Sequence, residues 1–278
     1  MLLKVWLLFL FLLYFIYPGE GKAMAAEMEN FILIKGGSFL MGSPTDEPER
    51  GSDETRHRVS VSDFYLDRSE LTQREYTALM GNNPSEFQGD NLPVEKVTWF
   101  EAIQYCNARS QKEGLKAAYS IDGQTVTWNR EAEGYRLPTE TEWEYASRAG
   151  TTTPFNTGNT ITDKQANFYN HYGYNNNSSG RVIGGAQGRT TPVNSFDPNP
   201  WGLFDTHGNV SEWCWDWYGQ YGPENQSDPA GPATGTYRVT RGGGWNDFPK
   251  HVRSAYRSVT PPSNRAFNLG FRLARKAK

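Results

Sequence analysis

Cysteine is nearly missing from this chain: Cys106 and Cys214 are the only two in 278 residues, and they stand far apart. A disulfide-dense scaffold is thereby excluded. Cys106 shares a helical face with Trp99, Ala102 and Ile103, which makes it a core residue before a reactive one. Two buried, unpaired thiols are expected, and one bridge between them is the alternative. Histidine is scarce as well, and His57, His171, His207 and His251 show no helical ligand spacing. An excess of either charge is lacking: 28 Lys and Arg against 31 Asp and Glu leave a net charge of −3, which excludes a field able to hold nucleic acid or an anionic membrane. Hydrophobic residues reach only 37%, yet 9 Trp, 15 Tyr and 15 Phe are present, so the core must be built from aromatic rings. With 28 Gly and 16 Pro, many turns are expected.

Some familiar catalytic devices are missing too. Gly242-Gly243-Gly244 has no following Lys-Ser/Thr at a helix start, so it reads as a turn and not as a phosphate loop. Ser254 and Ser258 lie near His251 in sequence only, which does not make a hydrolase triad.

One long apolar run does exist. Val5 to Tyr17 follows Lys4, is broken by Pro18-Gly19, and precedes the small-x-small site Ala23-Met24-Ala25. Residues 1–25 therefore read as a signal peptide, cleaved before Ala26, with export to the periplasm or medium. The run falls short of the roughly 20 residues a membrane span needs. A retained anchor is the alternative, and the membrane is a partner only in that case. No cysteine stands at the cleavage point, so lipid attachment there is excluded. Residues 26–278 are expected to form one domain.

Along that domain, "FILIKGGSFLMGS" reads as two strands around a Gly-Gly turn, and Pro44 to Arg58 as a polar loop. "HRVSVSDFYLDRSELT" reads as one or two strands. Three helices share a start signal in which a threonine precedes a glutamate by three residues: Thr72 with Glu75, Thr98 with Glu101, Thr139 with Glu142. "AYSIDGQTVTW" reads as a hairpin turning at Asp122-Gly123. Thr151 to Thr191 has almost no apolar period, and so long an irregular stretch needs a function or an ion to order it; oxygen-rich loops of this kind suit calcium.

Four ordered motifs carry a family resemblance: "VEKVTWFEAIQYCNARSQKEGL", "GYRLPTETEWEYASRAG", "NPWGLFDTHGNVSEWCWDWYG" and "RVTRGGGW…RSAYRS…NLGFRLAR". Over about residues 31–275 the chain resembles the formylglycine-generating enzyme, or sulfatase-modifying factor, family. The resemblance implies an α+β fold, a single loop-rich domain of the C-type-lectin-like kind with little regular structure. It also implies structural calcium, held by Asn209, the Val210 carbonyl and Glu212 in "GNVSEW", with a second segment offering Asn167 and the Phe168 carbonyl. Arg136 and Arg272 are expected to be charges held by buried partners.

Family members that make formylglycine present two cysteines just after the glycine turn, where soft thiolates hold copper. Here Asp247 stands near the first position and the second has no counterpart, so copper is not expected. Iron chemistry, as in relatives with a histidine-rich helical domain, lacks its ligands. The remaining reading is a binding protein for an unknown protein or small-molecule ligand. Trp245, Phe248, Tyr256 and Phe267 interleaved with Asp247, Lys250 and His251 form a recognition surface of rigid aromatic anchors and polar neighbours. Its bland alternative is ordinary loop surface, and its rival is an oxidoreductase of the maturation type working through another site.

Overall fold

Short strands and tight caps, joined by long irregular connections, make up the architecture of this computed structural model, which describes residues 30–171, 173–176, 187–222 and 225–277. The proposed signal peptide lies outside the described residues. Phe31–Lys278 forms one unit. Helix accounts for 15% and strand for 24%, so most of the chain lies outside regular elements.

The first strands are β1 (Phe31–Ile34), β2 (Gly37–Met41), β3 (His57–Val61) and β4 (Phe64–Asp67). The Gly-Gly step does not fold β1 back onto β2. Instead β1 pairs with β4 and β2 with β3, so the two strands enter different sheets. Helices α1 (Gln73–Met80), α2 (Trp99–Lys112) and α3 (Glu140–Arg148) all begin with the expected reciprocal threonine–glutamate caps. Strands β5 (Tyr119–Asp122) and β6 (Thr125–Trp128) make the Asp-Gly hairpin, and β7 (Tyr135–Arg136) leads into α3.

The second half contributes β8 (Ser211–Trp217), β9 (Gln226–Ser227), β10 (Arg238–Arg241), β11 (Ser258–Thr260), β12 (Leu269–Gly270) and β13 (Ala274–Lys276). One four-stranded sheet runs β1-β4-β13-β7, which joins the two ends of the unit, and a second runs β11-β10-β8-β12. Between them α2 buries Trp99, Ala102, Ile103 and Cys106 against Trp213, Tyr135 and Phe271. The alternating tryptophans of β8 share a face: Trp215 and Trp217 both pack on Trp99. Arg238 lies between Trp99 and Trp217, 3.7 and 3.5 Å from their ring centres, and burial pushes its guanidinium down to about 9.

Arg136 is gripped by both oxygens of Glu142 at 2.6 Å, and Arg272 by both oxygens of Glu212 at 2.6 Å, which are the buried partners expected for these arginines. Both cysteines are free and fully buried, with burial pushing each thiol well up, so neither is a ready nucleophile. The described part of the 151–191 stretch is ordered by a small apolar core, in which Phe155, Ile161, Ala166, Phe168 and Tyr174 pack with Val252. Sequence periodicity missed this core because its members are spaced irregularly. No helix among the described residues is long and apolar enough to cross a membrane.

Candidate functional site

Three arginines fix the chain around residues 241–257. At the end of β10, Arg241 pairs with Glu144 and donates to the carbonyls of Ser254, Ala255 and Tyr256. Arg253 forks onto Glu54 at 2.7 and 2.8 Å and reaches Glu47 at 2.6 Å. Arg257 takes both oxygens of Glu140 at 2.7 and 2.8 Å. Such bidentate, desolvated pairs hold geometry tightly. Between the first two clamps the chain turns at Gly242 and Gly243, whose φ values of +87° and +67° require glycine. A Cβ on Gly243 would stand 2.8 Å from the His251 carbonyl oxygen, so the glycines serve a close return of the chain.

The turn is closed by Asp247. Its Oδ2 accepts the Gly244 N–H at 2.8 Å, its own N–H reaches the Gly244 carbonyl, and its carbonyl accepts from Tyr169. Burial pushes the Asp247 carboxyl up, against the pull of that N–H and of His251, while burial pushes His251 down; Asp247 Oδ1 and His251 Nδ1 are 4.0 Å apart.

On either side of this turn lie aromatic side chains. Trp245 meets Phe87 edge to face and Phe267 at a tilt, both at 5.6 Å, and its indole N–H donates to the Phe267 carbonyl. On the other side Phe248 stands 5.3 Å from Tyr169, Tyr169 stacks on His171, and His251 packs on Tyr256 at 4.8 Å. Phe248, Lys250 and Phe267 are exposed, while Trp245, Asp247, His251 and Tyr256 are half-buried. The seven residues singled out from sequence therefore fall on two aromatic clusters joined by one turn. Phe87, Tyr169, His171 and Arg189, whose guanidinium lies 5.4 Å over the Phe87 ring, belong to the same surface and carried no sequence signal.

Two of the expected calcium ligands, Asn209 and Glu212, have partners within the protein. Glu212 gives both oxygens to Arg272 and also accepts the Trp143 indole N–H at 2.8 Å. Asn209 Oδ1 accepts from the Thr191 N–H at 2.9 Å, and its amide donates to Glu70 at 2.7 Å. The Val210 N–H donates to the same Glu70, and the Phe168 ring lies in the small core. Asn209 and Glu212 thus serve as internal bracing. Two oxygens nearby do lack partners among the described residues, Asn167 Oδ1 and Asp205 Oδ1, both on buried residues. Burial, then the charges of Asp205 and Glu212, push the Glu70 carboxyl well up. Burial likewise carries Asp205 up to about 6. Glu70, Asp205 and Glu212 thus share the charge of one guanidinium, that of Arg272, and no group of three or more His, Cys, Asp or Glu able to hold a metal ion occurs among the described residues.

A model of the sulfatase-modifying factor enzyme 1-like domain matches residues 19–277. The chain belongs to this family. Among relatives of this sulfatase-modifying-factor-like chain, the chaperone protein LppX of Paenibacillus barcinonensis is 37% identical over 78% of this chain and 79% of its own. The formylglycine-generating enzyme of Thermomonospora curvata is 30% identical, covering 88% of this chain and 93% of its own. Among solved structures, Treponema denticola variable protein 1 superposes with a TM-score of 0.78 at 30% identity, over 89% of this chain and 95% of that one. The loop-rich α+β domain of the sulfatase-modifying factors is thus the fold of this protein.

Proposed function

We propose that this protein is an exported binding member of the sulfatase-modifying factor family, which contacts a protein or small-molecule ligand through the 244–267 surface. One observation carries the reading: buried arginine forks hold the main chain at 241, 253 and 257, while Phe248 and Phe267 are exposed and Trp245 and Tyr256 half-buried around that frame. That is a rigid scaffold presenting anchors. The similarity to a protein named for its variability supports it. So does the chemistry of the turn, where Asp247 is tied to Gly244 and the two thiols of the chain are buried in the cores. A carboxylate does not replace thiolate toward Cu(I).

Calcium belongs to the same proposal. Asp205 and Asn167 would hold it with their unpartnered oxygens, and the ion would supply the positive charge that Glu70, Asp205 and Glu212 share too thinly. Residues 1–25 would direct export and be removed.

The rival reading, oxidation of a protein cysteine, is tested directly. The purified protein is incubated with Cu(I), oxygen and a peptide carrying Cys-x-Pro-x-Arg, and the peptide mass is followed. No conversion by folded protein is the expected result; conversion to formylglycine would overturn the binding reading.

A further inference from the structure

The charge around the surface narrows the kind of ligand, on the premise that the 244–267 surface is a binding surface. Most carboxylates close to it are engaged. Glu86 is held by Lys96 at 2.9 Å, Glu101 by Arg265 at 2.7 Å, and Asp247 by the Gly244 N–H. Two cations are not: Arg189 and Lys250 are exposed and make no ion pair among the described residues. Arg189 lies over Phe87, at the edge of the Trp245–Phe267 cluster. Lys250 follows Phe248 in the second cluster, close enough to His251 to oppose its protonation. Each aromatic cluster therefore carries one cation that makes no ion pair among the described residues, on a protein whose net charge is −3.

We propose that this surface binds an acidic segment of a protein partner, with apolar side chains on the Trp245–Phe267 and Phe248–Tyr169 clusters and carboxylates at Arg189 and Lys250. Exposed aromatic rings beside an arginine are the composition of interface anchors, and a guanidinium receives a carboxylate through two parallel hydrogen bonds. Two cations are too few to neutralise a nucleic-acid backbone, whose binding scales with the number of phosphates met. Apolar rings give a densely sulfated glycan nothing to bury.

The test uses the purified protein and a displayed library of random dodecapeptides. Enriched peptides are expected to combine Asp or Glu with aromatic or aliphatic residues. Their binding should weaken about tenfold in Arg189→Glu and in Lys250→Glu, and should fall with salt. Lysine in place of the peptide's acidic residues should restore binding to the charge-reversed variants. Both variants change exposed side chains, and unchanged thermal unfolding would confirm that they fold.

Neutral or basic enriched peptides whose binding still needs Trp245 and Phe267 would overturn the acidic partner and leave the surface reading standing. If no peptide binds in a way that Trp245→Ala and Phe267→Ala abolish, the surface reading fails and this inference with it. Heparin oligosaccharides that bind and lose affinity in Arg189→Glu, with no peptide enriched, would make the partner a glycan and overturn the proposal.

Discussion

Replacing Arg253 by methionine tests whether the clamps bear the structure they are assigned. The side chain is fully buried, and it neutralises two carboxylates that are themselves nearly inaccessible, Glu47 and Glu54. Burial pushes Glu54 up, and the hydrogen bonds and charge of Arg253, with the hydrogen bonds of Ser43 and Gly51, together more than cancel it; burial keeps Glu47 above its ordinary value even with Arg253 present. Methionine keeps much of the volume and removes the charge. Breaking a buried pair by deleting one partner costs about 3–5 kcal/mol, because the remaining charge is stranded. Arg253→Met should therefore lose about 4 kcal/mol at pH 7 in urea unfolding followed by tryptophan fluorescence. Without the guanidinium both carboxyls are raised in the folded state, so stability falls as pH rises above their unfolded values, and the deficit should be smaller at pH 5 than at pH 7. Combining Arg253→Met with Glu47→Gln and Glu54→Gln removes every stranded charge and should recover about 2 kcal/mol of the loss. A cost of Arg253→Met below about 1 kcal/mol, or a triple variant as poor as the sum of its parts, would refute the clamp.

Phe248→Ser, Lys250→Ser and Phe267→Ser together should lose less than about 2 kcal/mol in the same assay, since all three side chains are exposed; a larger loss would make this surface part of the core. Gly243→Ala should cost about 2–4 kcal/mol, from a positive φ and a Cβ placed 2.7 Å from Val252 Cγ1. Asp216 is raised to about 8 by burial and by Glu140, so it holds a proton in the folded state. Its contribution is complete below the unfolded value near about 4 and is lost as pH rises toward 8. Asp216→Asn should remove that one-proton slope, about 1.4 kcal/mol per pH unit between pH 5 and 7, and an unchanged slope would show that Asp216 is ionised throughout. Added calcium should raise the unfolding midpoint of the native protein, chelator should reverse it, and Asp205→Asn should abolish the response.

Local signals were the ones legible in the sequence. A threonine three residues before a glutamate makes a helix cap from atoms within one turn, and Asp-Gly makes a hairpin from its own φ preferences, so both appeared where expected. Long-range pairings left no such trace. "PTDEPERGSDETR" is charged enough to read as a solvated loop, yet Glu47 and Glu54 in it are buried as counter-charges to an arginine about two hundred residues later. "GNVSEW" offered oxygens at close sequence spacing, and nothing in the sequence marked that Thr191 donates to Asn209 and Arg272 to Glu212. The seven surface residues were legible because they share one segment. Phe87, Tyr169 and Arg189 join that surface from three other loops, and no periodicity marks a residue whose neighbours are elsewhere in the chain.

The kind of anchor used at 241–257 bears on how the surface works. Apolar anchors would tie the identity of each surface residue to the packing beneath it, because a core responds to every change of volume. Arginine forks grip differently. Arg241 holds the carbonyls of Ser254, Ala255 and Tyr256, and Arg253 holds those of Glu49 and Lys250, so what is fixed is the main chain. The side chains of Phe248, Lys250 and His251 are not what these forks grip. The same geometry explains why the clamps are buried and paired: an exposed ion pair contributes little, whereas a desolvated fork fails completely if either partner is lost. Under the proposed binding function, stability and recognition fall to different atoms of one segment, with the backbone and its arginines carrying the first and the exposed rings the second.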